Sequence, residues 1–90
     1  MFSHNDVICA LAGDDTVTAG AGNDIVDGGP GNDTINGGPG NDTLSGGPGD
    51  DTLKGGPGPD TLSCGPGRDT AIVDGHDHVA TDCETIIKRP

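Results

Sequence analysis

An aspartate returns every nine residues along this chain. Set out in nines from Met1, the sequence reads MFSHNDVIC, ALAGDDTVT, AGAGNDIVD, GGPGNDTIN, GGPGNDTLS, GGPGDDTLK, GGPGPDTLS and CGPGRDTAI. The sixth place holds Asp6, Asp15, Asp24, Asp33, Asp42, Asp51, Asp60 and Asp69. The eighth is aliphatic throughout: Ile8, Val17, Val26, Ile35, Leu44, Leu53, Leu62 and Ala71. The fourth is glycine from Gly13 onward. After these blocks "GHDHV" (Gly75 to Val79) repeats the glycine–x–aspartate–x–aliphatic pattern one residue early. Such self-similarity marks an architecture whose units bury their apolar face only by stacking on neighbours.

Each place has a physical meaning. Places one to five form a turn, because glycine permits positive φ and proline fixes φ near −65°. Places seven to nine form a short strand, with the aliphatic residue pointing inward and its neighbours outward. A three-residue strand and a six-residue turn reverse the chain once per repeat, so two repeats close one coil of 18 residues. The predicted fold is all-β, a right-handed parallel β-roll with two facing sheets and a narrow aliphatic core. Five coils at about 4.8 Å per step span roughly 25 Å. The roll is expected over residues 1–72, with residues 73–90 as a degenerate last repeat and C-terminal cap.

Composition matters because this core is thin. Only 29% of the 90 residues are hydrophobic, and Phe2 is the sole aromatic. With 18 glycines and 7 prolines, an aperiodic chain would read as disordered. Collagen is excluded, since the glycines fall at places one, two and four rather than every third residue. So small a core calls for a metal, a disulfide or a partner. The net charge of −11, from 15 acidic and 4 basic residues, excludes nucleic acid and anionic membrane surfaces as partners. It also disfavours a compact state unless cations are bound. No apolar run is long enough for a membrane span. The start "MFSHNDVICA" lacks the basic and apolar regions of a secretory signal, so the sequence is expected to be a mature form or fragment, or to use another export signal.

Stacking places the turns in two columns, one per edge. Asp33 falls near Asp15 and Asp51, and Asp42 near Asp24 and Asp60. Rows of carboxylates about 5 Å apart repel one another, and they face glycine turns whose carbonyls lack helix or sheet partners. Acidic oxygens and carbonyls in flexible turns suit Ca²⁺, which takes six or more oxygens, better than Mg²⁺.

The blocks "GGPGNDTIN", "GGPGNDTLS", "GGPGDDTLK" and "GGPGPDTLS" match G-G-x-G-x-D-x-U-x at every defined place, and "AGAGNDIVD" and "CGPGRDTAI" miss one or two. In this the chain resembles the repeat-in-toxin (RTX) family of calcium-binding nonapeptide repeats. The resemblance implies Ca²⁺ between the turns of repeats n and n+2, held by the sixth-place aspartates and turn carbonyls. Carried over, the strongest sites are Asp33 with Asp51, Asp42 with Asp60, and Asp24 with Asp42. Asp15 with Asp33 and Asp51 with Asp69 follow, and Asp6 with Asp24 is weakest. The turn glycines are Gly28, Gly31, Gly37, Gly40, Gly46, Gly49, Gly55 and Gly58. The expected load is five or six ions. Three cysteines and the ending "TIIKRP" depart from members exported through a type I channel. "VATDCETII" is more similar to Gram-positive repeat proteins, which implies a secreted, extracellular location reached by another route.

Other signals are weaker. Val79, Thr81, Cys83, Thr85 and Ile87 alternate as a strand would, and a Cys64–Cys83 disulfide is expected to pin the cap. Cys9 is left as a free thiol. His4, His76 and His78 lack the spacing of a transition-metal site and are expected to be solvated. The row Thr34, Thr43, Thr52, Thr61 and Thr70 reads as strand propensity and solubility. Asp14 and Asp50, at place five, read as solvated turn residues. No nucleophile–base pair is in phase, so no enzymatic activity is expected. The function indicated is a structural Ca²⁺-binding module, with two alternatives: a surface adhesion or interaction module, or a C-terminal piece of a secreted hydrolase. The open end of the stack at Ile8 leaves room for end-to-end self-association.

Overall fold

The computed structural model describes residues 7–10, 12–74, 77–80 and 82–88. Ten strands occur among them: β1 (Val7–Cys9), β2 (Thr16–Thr18), β3 (Ile25–Asp27), β4 (Thr34–Asn36), β5 (Thr43–Ser45), β6 (Thr52–Lys54), β7 (Thr61–Ser63), β8 (Thr70–Val73), β9 (His78–Val79) and β10 (Thr85–Lys88). The odd-numbered strands form one parallel sheet in the order β1-β3-β5-β7-β9, and the even-numbered ones form the other, β10-β8-β6-β4-β2. Successive strands therefore alternate between sheets, which is the solenoid expected from a strand and a turn per nonapeptide. The molecule measures 28 × 27 × 14 Å, a slab about as wide as its stack is tall.

The register is that of the repeat. Ile8 lies opposite Val26, Val26 opposite Leu44, and Leu44 opposite Leu62 in one sheet. Val17, Ile35, Leu53 and Ala71 align in the other. Because side chains alternate across a strand, only the eighth-place residue of each triplet faces inward. Val26, Ile35, Leu44, Leu53, Leu62 and Ala71 are buried, and Ile8, Val17 and Val79 pack partly buried at the ends of the same core. Any one-residue slip would turn this row outward, so the apolar pattern itself fixes the register.

The one-residue phase slip in the sequence is real. Thr61 pairs with His78 and Leu62 with Val79, an offset of 17 rather than 18. The continuous strand expected over Val79–Ile87 does not form. Val79 ends β9 on one sheet, and β10 begins only at Thr85 on the other. The chain must cross the slab between them, so Cys83 lies in the connection; Thr81 falls outside the described residues.

Candidate metal centre

The sixth place lies two residues before the eighth, so its side chain points to the same, inner side. Asp24, Asp33, Asp42, Asp51, Asp60 and Asp69 are consequently buried, each at 1–2% exposure, and border the aliphatic row at both edges. One oxygen of each carboxylate from Asp33 to Asp69 ties two coils together. The backbone N–H of Asp15 donates to Asp33 Oδ1 (3.0 Å), that of Asp24 to Asp42 Oδ1 (2.8 Å), and that of Asp33 to Asp51 Oδ1 (2.8 Å). Asp42 donates to Asp60 Oδ1 (2.8 Å) and Asp51 to Asp69 Oδ1 (2.7 Å). The aspartates thus do more than repel: adjacent coils are bonded through them at both edges. Asp6 lies outside the described residues.

The ladder continues to Asp77, whose Oδ1 accepts from the Asp60 N–H at 2.9 Å. Sequence reasoning ended the aspartate series at Asp69. The early "GHDHV" was the signal that places Asp77 in the sixth-place role after the slip.

The second oxygen is different. Oδ2 of Asp15, Asp33, Asp42, Asp51, Asp60 and Asp69 is buried and meets no hydrogen-bond partner among the described residues. An ionised oxygen buried without partner or counter-charge is strongly unfavourable. Burial accordingly pushes the Asp42 and Asp51 carboxyls up to about 6 and that of Asp60 to about 7, with neighbouring carboxylates adding to the rise. Asp69 is also raised, chiefly by burial. A cation beside Oδ2 would remove the penalty.

The turn glycines divide by backbone geometry. Gly31, Gly40, Gly49 and Gly58, at place four, have φ of 117°, 116°, 119° and 100°, and a Cβ on any of them would strike the glycine carbonyl of the coil before. Conformation and close stacking account for these four. The turn carbonyls are less free than expected, since proline carbonyls accept from fourth-place N–H groups: Gly13 to Pro30 (3.1 Å), Gly31 to Pro48 (3.0 Å) and Gly40 to Pro57 (3.2 Å). Beside first-place Gly28 a different arrangement appears. A carbon built at its Cβ position would stand 2.7 Å from Asp33 Oδ2 and 2.9 Å from the Gly46 carbonyl oxygen. A carboxylate oxygen and a carbonyl from the next coil thus converge on one space, a donor set that suits a hard, oxygen-seeking divalent cation.

The family pattern of the RTX calcium-binding nonapeptide repeat (4 copies) matches residues 2–35, 27–62 and 36–71. The chain belongs to the RTX repeat family. These repeats bind Ca²⁺, and the two-sheet parallel solenoid is their β-roll. No curated protein matches the chain at a significant level.

The RTX roll carries a second ladder that sequence reasoning missed. Asp14 and Asp50 are exposed, as expected, but they are not idle. Asp14 Oδ1 accepts the Asn32 N–H (2.9 Å), Asn32 Oδ1 accepts that of Asp50 (2.8 Å), and Asp50 Oδ1 accepts that of Arg68 (2.9 Å). On the other edge Asn23 Oδ1 accepts from Asn41 (2.9 Å), and the series cannot pass Pro59, which has no N–H. The signal was present as Asn or Asp recurring at place five.

At the C-terminal end of the roll Cys64 and Cys83 form the expected disulfide, with Cα atoms 5.1 Å apart. Asp82 beside it accepts the Cys64 N–H at Oδ1 (3.0 Å) and the Gly65 N–H at Oδ2 (2.8 Å). The Gly65 bond foremost lowers the Asp82 pKa. The Asp82 oxygen and the two sulfurs lie within 4.8 Å of one another, but the S–S bond accounts for that cluster. Cys9 is a free, exposed thiol. His78 is exposed on β9, and His4 and His76 lie outside the described residues.

Proposed function

We propose that this RTX chain is a structural, non-catalytic module that folds as it binds Ca²⁺, and that it works outside the cell. The sixth-place aspartates from Asp15 to Asp69, with Asp6, supply the carboxylate oxygens, and the turn glycines supply carbonyls. When bound, Ca²⁺ provides the positive charge that lets these carboxylates stay ionised while buried. The observation that carries this reading is the row of buried Oδ2 atoms, from Asp33 to Asp69 and at Asp15, with no hydrogen-bond partner among the described residues. A net charge of −11 on so small an apolar core points the same way, because the uncompensated chain resists compaction. Binding and folding are then one equilibrium. The Cys64–Cys83 disulfide favours an oxidising, extracellular setting.

Circular dichroism of the oxidised chain, first stripped of metal and then titrated with CaCl₂ at pH 7.5, tests the reading. The expected outcome is a disordered spectrum that converts cooperatively to a β signal, with Mg²⁺ at equal concentration far less effective. The same β signal before and after addition of Ca²⁺ would refute it.

A further inference from the structure

The turns of this chain are not equivalent, and their first residues make the difference. Gly28, Gly37, Gly46 and Gly55 stand at place one, where Ala10, Ala19 and Cys64 stand in other repeats. Glycines at places two and four have positive φ, for example Gly29 at 75° and Gly31 at 117°. The four first-place glycines do not, so backbone conformation does not require them. The chain itself demonstrates this, since Ala19 and Cys64 occupy the same place with their side chains fully buried in the core. What glycine provides at place one is therefore space.

Oxygens define that space. A carbon at the Gly28 Cβ position would lie 2.7 Å from Asp33 Oδ2 and 2.9 Å from Gly46 O. At Gly37 the distances are 2.7 Å to Asp42 Oδ2 and 3.0 Å to Gly55 O, and at Gly46 they are 2.7 Å to Asp51 Oδ2 and 2.8 Å to Cys64 O. Each of these three turns thus offers a carboxylate oxygen and a carbonyl of the next coil around one opening. At Gly55 the three nearest atoms all belong to Asp60, with Oδ2 at 2.5 Å and Cβ and Cγ at 3.0 Å, so the aspartate itself crowds the space beside this glycine. That turn faces the coil where the phase slips to 17 residues. A buried Oδ2 with no hydrogen-bond partner among the described residues occurs both at the open turns and at the filled turns of Asp15 and Asp69; the opening beside it does not.

We propose that the turns opened by Gly28, Gly37 and Gly46 are the cation sites of this chain, and that the side chains of Ala10, Ala19 and Cys64 close their turns to metal. This rests on the Ca²⁺ reading above and narrows the expected load from five or six ions to three. It retains the pairs Asp33 with Asp51, Asp42 with Asp60, and Asp51 with Asp69, and removes Asp24 with Asp42, Asp15 with Asp33 and Asp6 with Asp24, whose turns begin with Ala19, Ala10 and Met1.

Native mass spectrometry of the oxidised chain in CaCl₂ counts the bound ions, and calorimetry gives the same number independently. The wild type is expected to hold three. Gly37→Ala is expected to lose one, and Ala19→Gly, which only removes a methyl group, to gain one. A wild-type count of five or more, or a count unchanged in both variants, overturns the assignment. A wild type that binds no Ca²⁺ fails the Proposed function instead, so the two failures are distinguishable. Should Gly37→Ala not fold, the gain in Ala19→Gly still decides the matter.

Discussion

The middle coils and the C-terminal coil solve one problem in two ways. Between Gly28 and Asp60 the repeat is strict, the turns are glycine-rich, and buried carboxylates line both edges. Beyond Val73 the phase slips, first-place glycine is gone, and the roll ends in a Cys64–Cys83 bond with Asp82 accepting two backbone N–H groups. Both regions have the same thin core. On the proposed function the middle draws charge from outside to keep its carboxylates buried, whereas the end is fastened by covalent and hydrogen bonds of the chain itself. A small solenoid can therefore depend on metal where it repeats and on a staple where repetition stops.

That contrast can be broken most forcefully by removing the cation. Metal removal at pH 7.5 is expected to abolish amide protection in β3 to β7, leaving at most local order around the disulfide. Hydrogen exchange read by NMR would show this, and uniform protection in the chelated chain would erase the distinction. Next in size, Leu53→Ala should cost about 2–5 kcal/mol, since Leu53 is fully buried between Ile35 and Ala71. Urea titration in saturating Ca²⁺ measures it. Replacing both Cys64 and Cys83 by serine should cost about 3 kcal/mol by loop entropy and loosen β9 and β10 before the middle coils. Exchange rates of the same order in both regions would contradict this.

Acid should act on the two regions in opposite senses. In the metal-free chain Asp42, Asp51 and Asp60 have folded-state pKa values of about 6, 6 and 7, above the ordinary carboxylate range. The folded state then binds more protons than the unfolded one, so their contribution is complete below about pH 4 and is lost as pH rises towards 7. Asp82 is shifted downward, so its capping contribution is present above about pH 4 and is lost on further acidification. A metal-free chain should therefore be more ordered near pH 5 than at pH 8. Circular dichroism against pH tests this, and rising order with pH would reverse the sign. The smallest effect is expected from Asn32→Ala, which removes one rung of the exposed place-five ladder and should cost about 0.5–1.5 kcal/mol in thermal unfolding with Ca²⁺ present.

Much of this roll was legible in the sequence. Alternation around the eighth place identified the core from Val26 to Ala71, and the early Asp77 announced the slip. The strand expected across Cys83 failed for a plain reason. Alternation in sequence does not reveal that Val79 and Thr85 belong to different sheets. The Asp14–Asn32–Asp50 ladder was hidden because a polar residue in a turn looks the same whether it faces water or the N–H of the next coil. The candidate site was legible as residue types and period. It was not legible as two unlike oxygens on each aspartate, one bonded to backbone and one left over.

The sequence alone determined the period, the inward row and the in-phase carboxylates, because side-chain direction in a short strand follows from position. Only the tertiary structure decided which turns are open. A first-place methyl and a first-place hydrogen differ by one carbon on paper. Whether that carbon meets solvent or the oxygens of Asp33 and Gly46 depends on how adjacent coils stack, and stacking distance is a property of the packed roll.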